Sequence, residues 1–593
     1  MLLKPMNIKL LLIILLFTFS SIFAQQKPGY LHGVVMNQRN EKLAYASIQF
    51  KGSDDGTITN EDGEFLIHRK KLIRDTLVVY FMGYKSKEIA IDETNDSLTI
   101  TLEKAVHTLN EVVVLADKEN YAYGLLTKLI KKYRGKTENI PSKAYFSLYS
   151  SMDQPLEIFE AFYNAELNPR DGITSLELKN GRAGLIKKDN FAFVSLNTTD
   201  ILSDFSPFLK VMNQKLPIGP TNLNNSAIKS KYHLEIEDIL NDGDEQTTVI
   251  AFSPTINNGL YFSGKIYINI DRNELQKLTL EIENTKLDFL KSIQENSLVD
   301  SLNIRLALNY DQNSTRLQSM IYDYDFILSS QPQNRIVSRA LLAFYDYGSP
   351  FEMPLSAPVN PGSDYQRILS YPFNKHFWEA NYYLPISQNK IDFTNFFKTH
   401  GYLINHDSIS VQSPYIESPF LNWSKANRLI WSDIPNAKPI LPQGNENGVL
   451  VIAYQTAGNS YLRGHLFLDY EVEGSNTYYY SRASIDRDLS FFKDMRRDVY
   501  TLVYLNIYFD VYEIHRRILI DKLNNLGSAN RKEIANIYQE ELILLHNELQ
   551  SMRKETQQGF NMEGLSNWND YIEKKLGVNN FRIFGVESGP REP

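Results

Sequence analysis

The 593-residue chain contains no cysteine. That excludes disulfides, thiolate metal sites and an N-terminal lipid anchor on cysteine, so its domains must rest on ordinary hydrophobic cores. Basic charge is not concentrated either. Lys and Arg number 62 against 70 Asp and Glu, a formal charge of −8, and the cations are scattered rather than gathered in a stripe or tail. Nucleic acid is therefore not an expected partner. After the first two dozen residues the chain has no apolar run of about 18 or more, so no spanning helix is expected beyond that point. Gly-x-Ser-x-Gly, a Walker A loop, a dinucleotide fingerprint and His-Glu-x-x-His are all missing, which removes the readily recognised enzyme classes. Tyr (36) and Phe (32) are abundant. However, the alternating segments of about ten residues that mark a membrane barrel do not continue to the C-terminus.

What is present begins with Met1-Leu-Leu-Lys-Pro-Met-Asn-Ile-Lys9, an apolar run from Leu10 to Phe23, and Ala24-Gln25. A basic start, a short apolar core and a small residue at its end describe a secretory signal peptide, so residues 1–24 are expected to be removed on export. A chain of this length should hold about three or four domains. The stretch 28–116 alternates apolar and polar residues in short segments, as in Ser47-Ile-Gln-Phe50 and Leu98-Thr-Ile-Thr-Leu102. That period predicts half-buried strands, and their number predicts a small β-sandwich. Asn60-Glu-Asp-Gly63 is a turn, with Gly63 free to take a positive φ. The acidic residues Asp54, Asp55, Glu61 and Asp62 lack the oxygen spacing of a calcium loop and read as a solvated hairpin.

This stretch resembles the carboxypeptidase-regulatory-like domain, a transthyretin-like β-sandwich often found ahead of Gram-negative outer-membrane receptors and surface proteins. Gly33-Val-Val, Ala46-Ser-Ile, Gly56-Thr, Thr59, Asp62-Gly-Glu-Phe65, Gly83-Tyr84 and Leu109-Asn-Glu-Val-Val-Val114 carry the resemblance. It implies an exported, envelope-associated protein; it does not imply peptidase activity.

Residues 117–410 are expected to form a β-rich middle domain behind a leading amphipathic helix. Over Asn120–Tyr133 that helix places Leu125, Leu126, Leu129 and Ile130 on one face. Strands are expected at Tyr145–Tyr149, Phe191–Leu196, Thr248–Phe252, Leu260–Ile270, Leu275–Glu283, Ile304–Tyr310 and Met320–Phe326. Phe262-Ser-Gly-Lys-Ile-Tyr-Ile-Asn-Ile-Asp-Arg272 followed by Leu278-Thr-Leu-Glu-Ile282 resembles the curved antiparallel sheets of LolA-like envelope proteins. That resemblance implies a sheet that either holds a lipid or peptide or, the reading favoured here, is filled by a helix. Six prolines between Ser349 and Asp407 argue against long regular elements there, and His376-Phe-Trp378 reads as packing onto a neighbouring domain rather than as an open aromatic platform.

Residues 411–593 combine strands (Gly448–Ala453, Leu466–Glu471, Ser484–Phe491) with two long helices, from about Tyr500 to Leu523 and from Ser528 to Gln550. The second should turn Ala535, Tyr538, Leu542 and Leu545 inward. The whole is a multidomain α+β chain: an N-terminal β-sandwich, a β-rich middle domain and a C-terminal α/β domain with long helices.

The order of motifs in the last region resembles a family of secreted zinc proteases: Leu429-Ile-Trp431-Ser-Asp433, Ser490-Phe491, Phe509-Asp510-Val511, Glu513, Arg517, Glu555-Thr-Gln-Gln-Gly559-Phe-Asn561, Trp568, Ile572 and Leu576. In that family a helix carries His-Glu-x-x-His directly before the Phe-Asp pair. Here the two ligand positions are Tyr504 and Tyr508 and the base position is Leu505, none of which suits zinc or deprotonates water. The expectation is a degenerate protease-like domain with no catalytic residue, no metal and no cofactor, in a non-catalytic envelope binding or scaffold protein. Its partner would be an envelope protein, a peptide or a lipid. The alternative is a secreted metal-dependent hydrolase whose site gathers His465, Glu513, His515 and His546 from distant positions.

Overall fold

The computed structural model describes residues 30–586 except 54–55, 69–75, 92–96, 108–117, 187–197, 210–214, 244, 286–298, 313, 329–332, 356–367, 369–370, 372, 382, 407–419, 435–459, 474–475, 493–496 and 528. The expected signal peptide, the strands at Phe191–Leu196 and Gly448–Ala453, Asp54, Asp55, the motif at Leu109–Val114 and the boundary at 410 lie outside the described residues.

The N-terminal strands are β1 (Tyr30–Asn37), β2 (Ser47–Phe50), β3 (Gly56–Ile58), β4 (Glu64–His68), β5 (Thr76–Tyr80), β6 (Lys87–Ala90) and β7 (Ser97–Leu102). They form two sheets, β4-β1-β7 and β3-β2-β5-β6. Leu31, Val35, Ile48, Phe65, Leu77, Val79 and Ile100 pack between them, giving the sandwich that the period-two pattern predicted. Gly63 adopts φ +71°, and a Cβ there would sit 2.8 Å from the Val35 carbonyl oxygen, so the turn into β4 requires glycine. Thr59 ties the hairpin: its hydroxyl donates to the Leu43 carbonyl (2.6 Å) and accepts from the Ala46 N–H (2.8 Å).

The chain then builds one sheet of twelve strands: β8 (Val106–His107), β9 (Ile140–Ser151), β10 (Pro155–Asn168), β11 (Gly172–Ile186), β12 (Tyr232–Asp242), β13 (Glu245–Pro254), β14 (Ser263–Asn269), β15 (Glu274–Ile282), β16 (Val299–Tyr310), β17 (Leu317–Leu328), β18 (Arg335–Tyr345) and β19 (Gly401–Ile404). Their order is β19-β11-β10-β9-β18-β17-β16-β15-β14-β13-β12-β8, and the two end strands do not pair with each other. Strand β8 joins this sheet, opposite β12, and not the sandwich. Helix α1 (Lys118–Arg134) lies across one face, with Ala122, Leu126, Leu129 and Tyr133 each 0 % exposed in the core it shares with the sheet. A helix thus fills this side, as expected. Cutting Leu126 to Ala would cost about 2–5 kcal/mol, because the surrounding strands cannot collapse into the space.

Alternation in β9 shows how the sheet is used on both sides. Ala144, Phe146 and Leu148 join the α1 core, while Tyr145 packs on the other face with Ile58 of the sandwich, Leu341 and Phe377. The period of two places consecutive side chains on opposite faces, so one strand serves two cores. Short helices α2 (Thr198–Ser203), α3 (Asn225–Lys231) and α4 (Lys375–Ala380) and the longer α5 (Gln388–His400) occupy the connections. The 13-residue α5 corrects the expectation of no long regular element in the proline-rich segment. It starts after Pro385, and its N-cap Ser387 accepts from the Lys390 N–H.

Among the described residues the C-terminal region pairs a three-stranded sheet with four α-helices. Strands β20 (Phe420–Asn422), β21 (Ser460–Glu473) and β22 (Asn476–Phe492) lie in the order β20-β22-β21. Helices α6 (Val499–Asn524), α7 (Arg531–Thr556), α8 (Met562–Leu576) and α9 (Asn580–Phe584) share a core with it that includes Leu466, Ile485, Val503, Phe509, Ile534 and Leu565. No helix among the described residues is long and apolar enough to cross a membrane.

Candidate functional site

The residues at the expected ligand positions lie in the buried half of α6, whose N-cap Asp498 accepts from the Thr501 N–H (2.9 Å). Leu505 is 1 % exposed and Tyr504 6 %. Burial pushes the Tyr504 hydroxyl up to about 12, with the nearby Arg553 charge opposing the rise. Tyr508, one turn on, donates from its hydroxyl to the Leu462 carbonyl (3.2 Å) and lies 3.4 Å from the Tyr512 hydroxyl. The Tyr512 ring packs flat on β21 at Gly464, where any Cβ would stand 2.2 Å from Cζ. Only a glycine admits that approach. This face of α6 is a packed ladder of tyrosines.

The neighbouring motif residues form a buried polar clamp. Asp510 accepts two hydrogen bonds from the Arg428 guanidinium (2.8 and 2.7 Å), one from the Trp423 indole (2.7 Å) and one from Asn580 (2.7 Å). Asn506 accepts from the Leu429 N–H and donates to the Leu429 carbonyl, both at 2.9 Å. The stretch around Trp423–Asp433 is thereby strapped to α6. Glu513 is held by Arg516 (2.7 Å) and Arg517 (2.9 Å) on its own helix.

The four residues proposed for an alternative metal site are not brought together. His465 on β21 faces Asp486 at 3.6 Å. Glu513 is engaged by its two arginines, and His546 is exposed beside Gln550. His515 is buried between Glu541 (2.5 Å) and Glu548 (3.0 Å). Burial opposes its charge, but the hydrogen bonds to Glu548 and Glu541 outweigh it and raise the imidazole pKa. Lys522 and the Tyr571 hydroxyl complete the network. Among the described residues no group of three His, Asp or Glu is arranged to hold a metal. Glu541 was missed in the sequence. It is 0 % exposed on α7, where Leu542 was expected inward and is only half-buried. The signal was available, since 541 falls in the stripe 534, 538, 541, 545.

The acidic turn corrects a second expectation. Glu61 and Asp62 are not a solvated hairpin. Glu61 accepts from Tyr45 (3.2 Å), from Tyr149 of β9 (2.8 Å) and from Asn389 of α5 (3.2 Å), and Asp62 accepts from the Gln388 N–H at the start of α5 (2.8 Å). The turn docks the sandwich onto the large sheet.

A cleft of ≈ 830 Å³ opens between β11, α4 and the β21–β22 hairpin, within the range of about 300–1,000 Å³ usual for ligand pockets. Tyr478 and Tyr480 share a strand face with Arg482 because they alternate on β22. Cross-strand partners are Glu471 for Tyr478 and Asp469 for Tyr480. His376-Phe-Trp378 divides its roles: Phe377 is buried in the seam with the sandwich, while His376 and Trp378 line the cleft. The Trp378 indole donates to Asn180 (3.0 Å), and the Arg182 guanidinium lies over its ring, 4.2 Å from the centroid. His406 faces the same space; burial and the Arg182 charge bring its pKa down to about 3, so it is neutral at ordinary pH.

Residues 31–114 match the family model of the CarboxypepD_reg-like domain. Over 107 residues the chain is 32 % identical to the TonB-dependent receptor SusC of Bacteroides thetaiotaomicron, a stretch covering 18 % of this chain and 10 % of that receptor. The chain therefore spans about a tenth of the relative's length. Among solved structures, a DUF1329 family protein from Desulfovibrio piger aligns at 10 % identity and TM-score 0.15, covering 39 % of this chain and 92 % of that one. A LolA superfamily protein from Nitrosomonas europaea aligns at 13 % and 0.16, covering 38 % and 92 %. Scores this low support no fold relationship. The regulatory-like domain and the receptor match point to an envelope-associated protein.

Proposed function

We propose that this chain is a non-catalytic binding protein of the Gram-negative cell envelope, exported by its N-terminal segment. The CarboxypepD_reg-like match and the stretch shared with an outer-membrane receptor support the location. The cleft between the large sheet and the β21–β22 hairpin carries the binding reading, since it joins aromatic faces with polar groups in one concave surface. In this reading the C-terminal region is a protease-like module that keeps motif residues such as Asp510, Glu513 and Arg517 and has replaced the catalytic ones with a tyrosine ladder.

Fractionation of the native host, mass spectrometry of the mature chain and metal analysis test this together. The expected result is an envelope protein beginning at Gln25, without stoichiometric zinc and without hydrolysis of casein. Near-stoichiometric zinc with chelator-sensitive hydrolysis would overturn it in favour of a metal-dependent hydrolase. The relic reading has its own test. Tyr504→His, Leu505→Glu and Tyr508→His together should raise zinc affinity in calorimetry. They should also lower stability without metal, because ring volume is lost and a carboxylate enters an apolar site.

A further inference from the structure

We infer that the cleft is a binding site for a neutral oligosaccharide, an inference that rests on the binding reading above. Its walls offer two flat composite surfaces. The His376 ring stacks on Tyr478 with centroids 4.0 Å apart and 30° between planes, and Arg182 stacks on Trp378 at 4.2 Å. Tyr478 is 40 % exposed, so its ring is open to a ligand. The face of an aromatic ring is electron-rich, and a pyranose presents weakly positive axial C–H bonds to such a face while its hydroxyls point to the rim.

The rim has the groups a polyol needs. Arg482 donates, Glu379 and Glu471 accept, and the neutral imidazole of His406 offers one donor and one acceptor nitrogen. The charge balance selects against strongly ionic ligands. Arg182, Lys375 and Arg482 face the cleft against Glu379 and Glu471, and two of the three cations are already engaged. Arg182 is paired with Glu160, and Lys375 lies 3.5 Å from Glu379. Arg482 donates to the Tyr480 hydroxyl at 2.7 Å. A lipid chain would need a lining free of charge, whereas Arg182, Lys375, Glu379, Glu471 and Arg482 stand among the aromatic rings of these walls.

Calorimetry on the full mature chain tests this with maltohexaose, cellohexaose and chitohexaose as neutral probes and a galacturonate hexamer as the anionic one. At least one neutral hexamer should bind, and more tightly than the galacturonate. Tyr478→Ala and Trp378→Ala should each weaken it roughly tenfold, the size of a lost stacking contact. Tyr478→Phe, which keeps the ring, should bind within about twofold of the wild type. Because Tyr478 is exposed, its replacement leaves the fold intact, which circular dichroism verifies. Failure of all three neutral hexamers to bind at millimolar concentration, tighter binding of the galacturonate, or full affinity in Tyr478→Ala overturns the inference. Those failures with a zinc-free, catalytically silent envelope protein remove only the sugar; chelator-sensitive hydrolysis removes the binding reading as well.

Discussion

The large sheet meets its two neighbours through seams of opposite electrostatic character. Against the sandwich, the buried carboxylate is Glu160 of β10, beneath the Tyr145–Phe377 cluster. Burial pushes its pKa upward, but Arg182, Lys390 (3.2 Å) and the Tyr145 hydroxyl (2.5 Å) outweigh that and hold it well below the usual carboxylate range. Against the C-terminal region, the buried carboxylate is Asp469 of β21, paired with Lys179 of β11, each 1 % exposed. Here burial wins and the carboxyl is raised, the Lys179 charge and the Tyr470 N–H offsetting only part of the cost. Two buried acids, one on the large sheet and one on its C-terminal neighbour, thus shift in opposite directions. A carboxylate with two cations and a hydroxyl is stabilised in place, whereas one facing a single cation pays most of its desolvation.

The sharpest way to break this contrast is Lys179→Met. It strands Asp469 in the interior and should cost about 3–5 kcal/mol in chemical denaturation. Lys179→Met with Asp469→Leu should recover all of it or more, because an apolar pair of similar volume carries no desolvation penalty. A double variant as unstable as the single one would show that the ion pair itself holds the seam.

Glu160→Gln should cost about 1.5–3 kcal/mol, as charge-assisted bonds from Arg182 and Lys390 are lost. Glu61→Ala, at the partly open edge of the same seam, should cost about 1–2 kcal/mol. Hydrogen exchange in this variant should quicken in the β3–β4 turn and in α5 before it does in α1.

Acidification separates the seams without mutation. The folded pKa of Glu160 lies below its unfolded value near 4.5, so its contribution is complete above that value and fades as pH falls further. Asp469 has a folded pKa above its ordinary 3.8. Its seam is therefore strongest below 3.8 and loses stability as pH rises through the raised value. Hydrogen exchange along an acid series should show protection at β10 falling while that at β21 holds. Inside the C-terminal module the smallest change is expected at His515. Its raised pKa gives stability that is complete below about 6.5 and is lost as pH climbs through the higher folded value. Exchange at the α6–α7 contact between pH 6 and 9 reports it, and His515→Gln should flatten that dependence.

Several elements were legible because their signal is local. The sandwich strands show period two, α1 and α6 show a helical stripe, and Asn60-Glu-Asp-Gly63 has turn chemistry that depends on four adjacent residues. Strands β10 and β11 escaped because both of their faces are covered. In Leu156–Leu167 almost every side chain is buried, so alternation vanishes, and its Leu, Glu and Ala content suits a helix equally well. Asp510 stood out in the sequence as part of a motif, but its pairing with Arg428 across 82 positions came only with the fold.

By itself, then, the amino-acid order determined the small sandwich, the helices α1, α6 and α7 and the lack of zinc-ligand chemistry at Tyr504, Leu505 and Tyr508, because each follows from neighbours in the chain or from the side chain itself. Tertiary structure alone decided that Glu61 and Asp62 dock rather than dissolve, that the partner of Glu541 is His515, and that Arg182, Trp378, His406 and Tyr478 share one cleft. Those outcomes depend on desolvation and on partners brought from far along the chain, and neither quantity exists until the sheets close on one another.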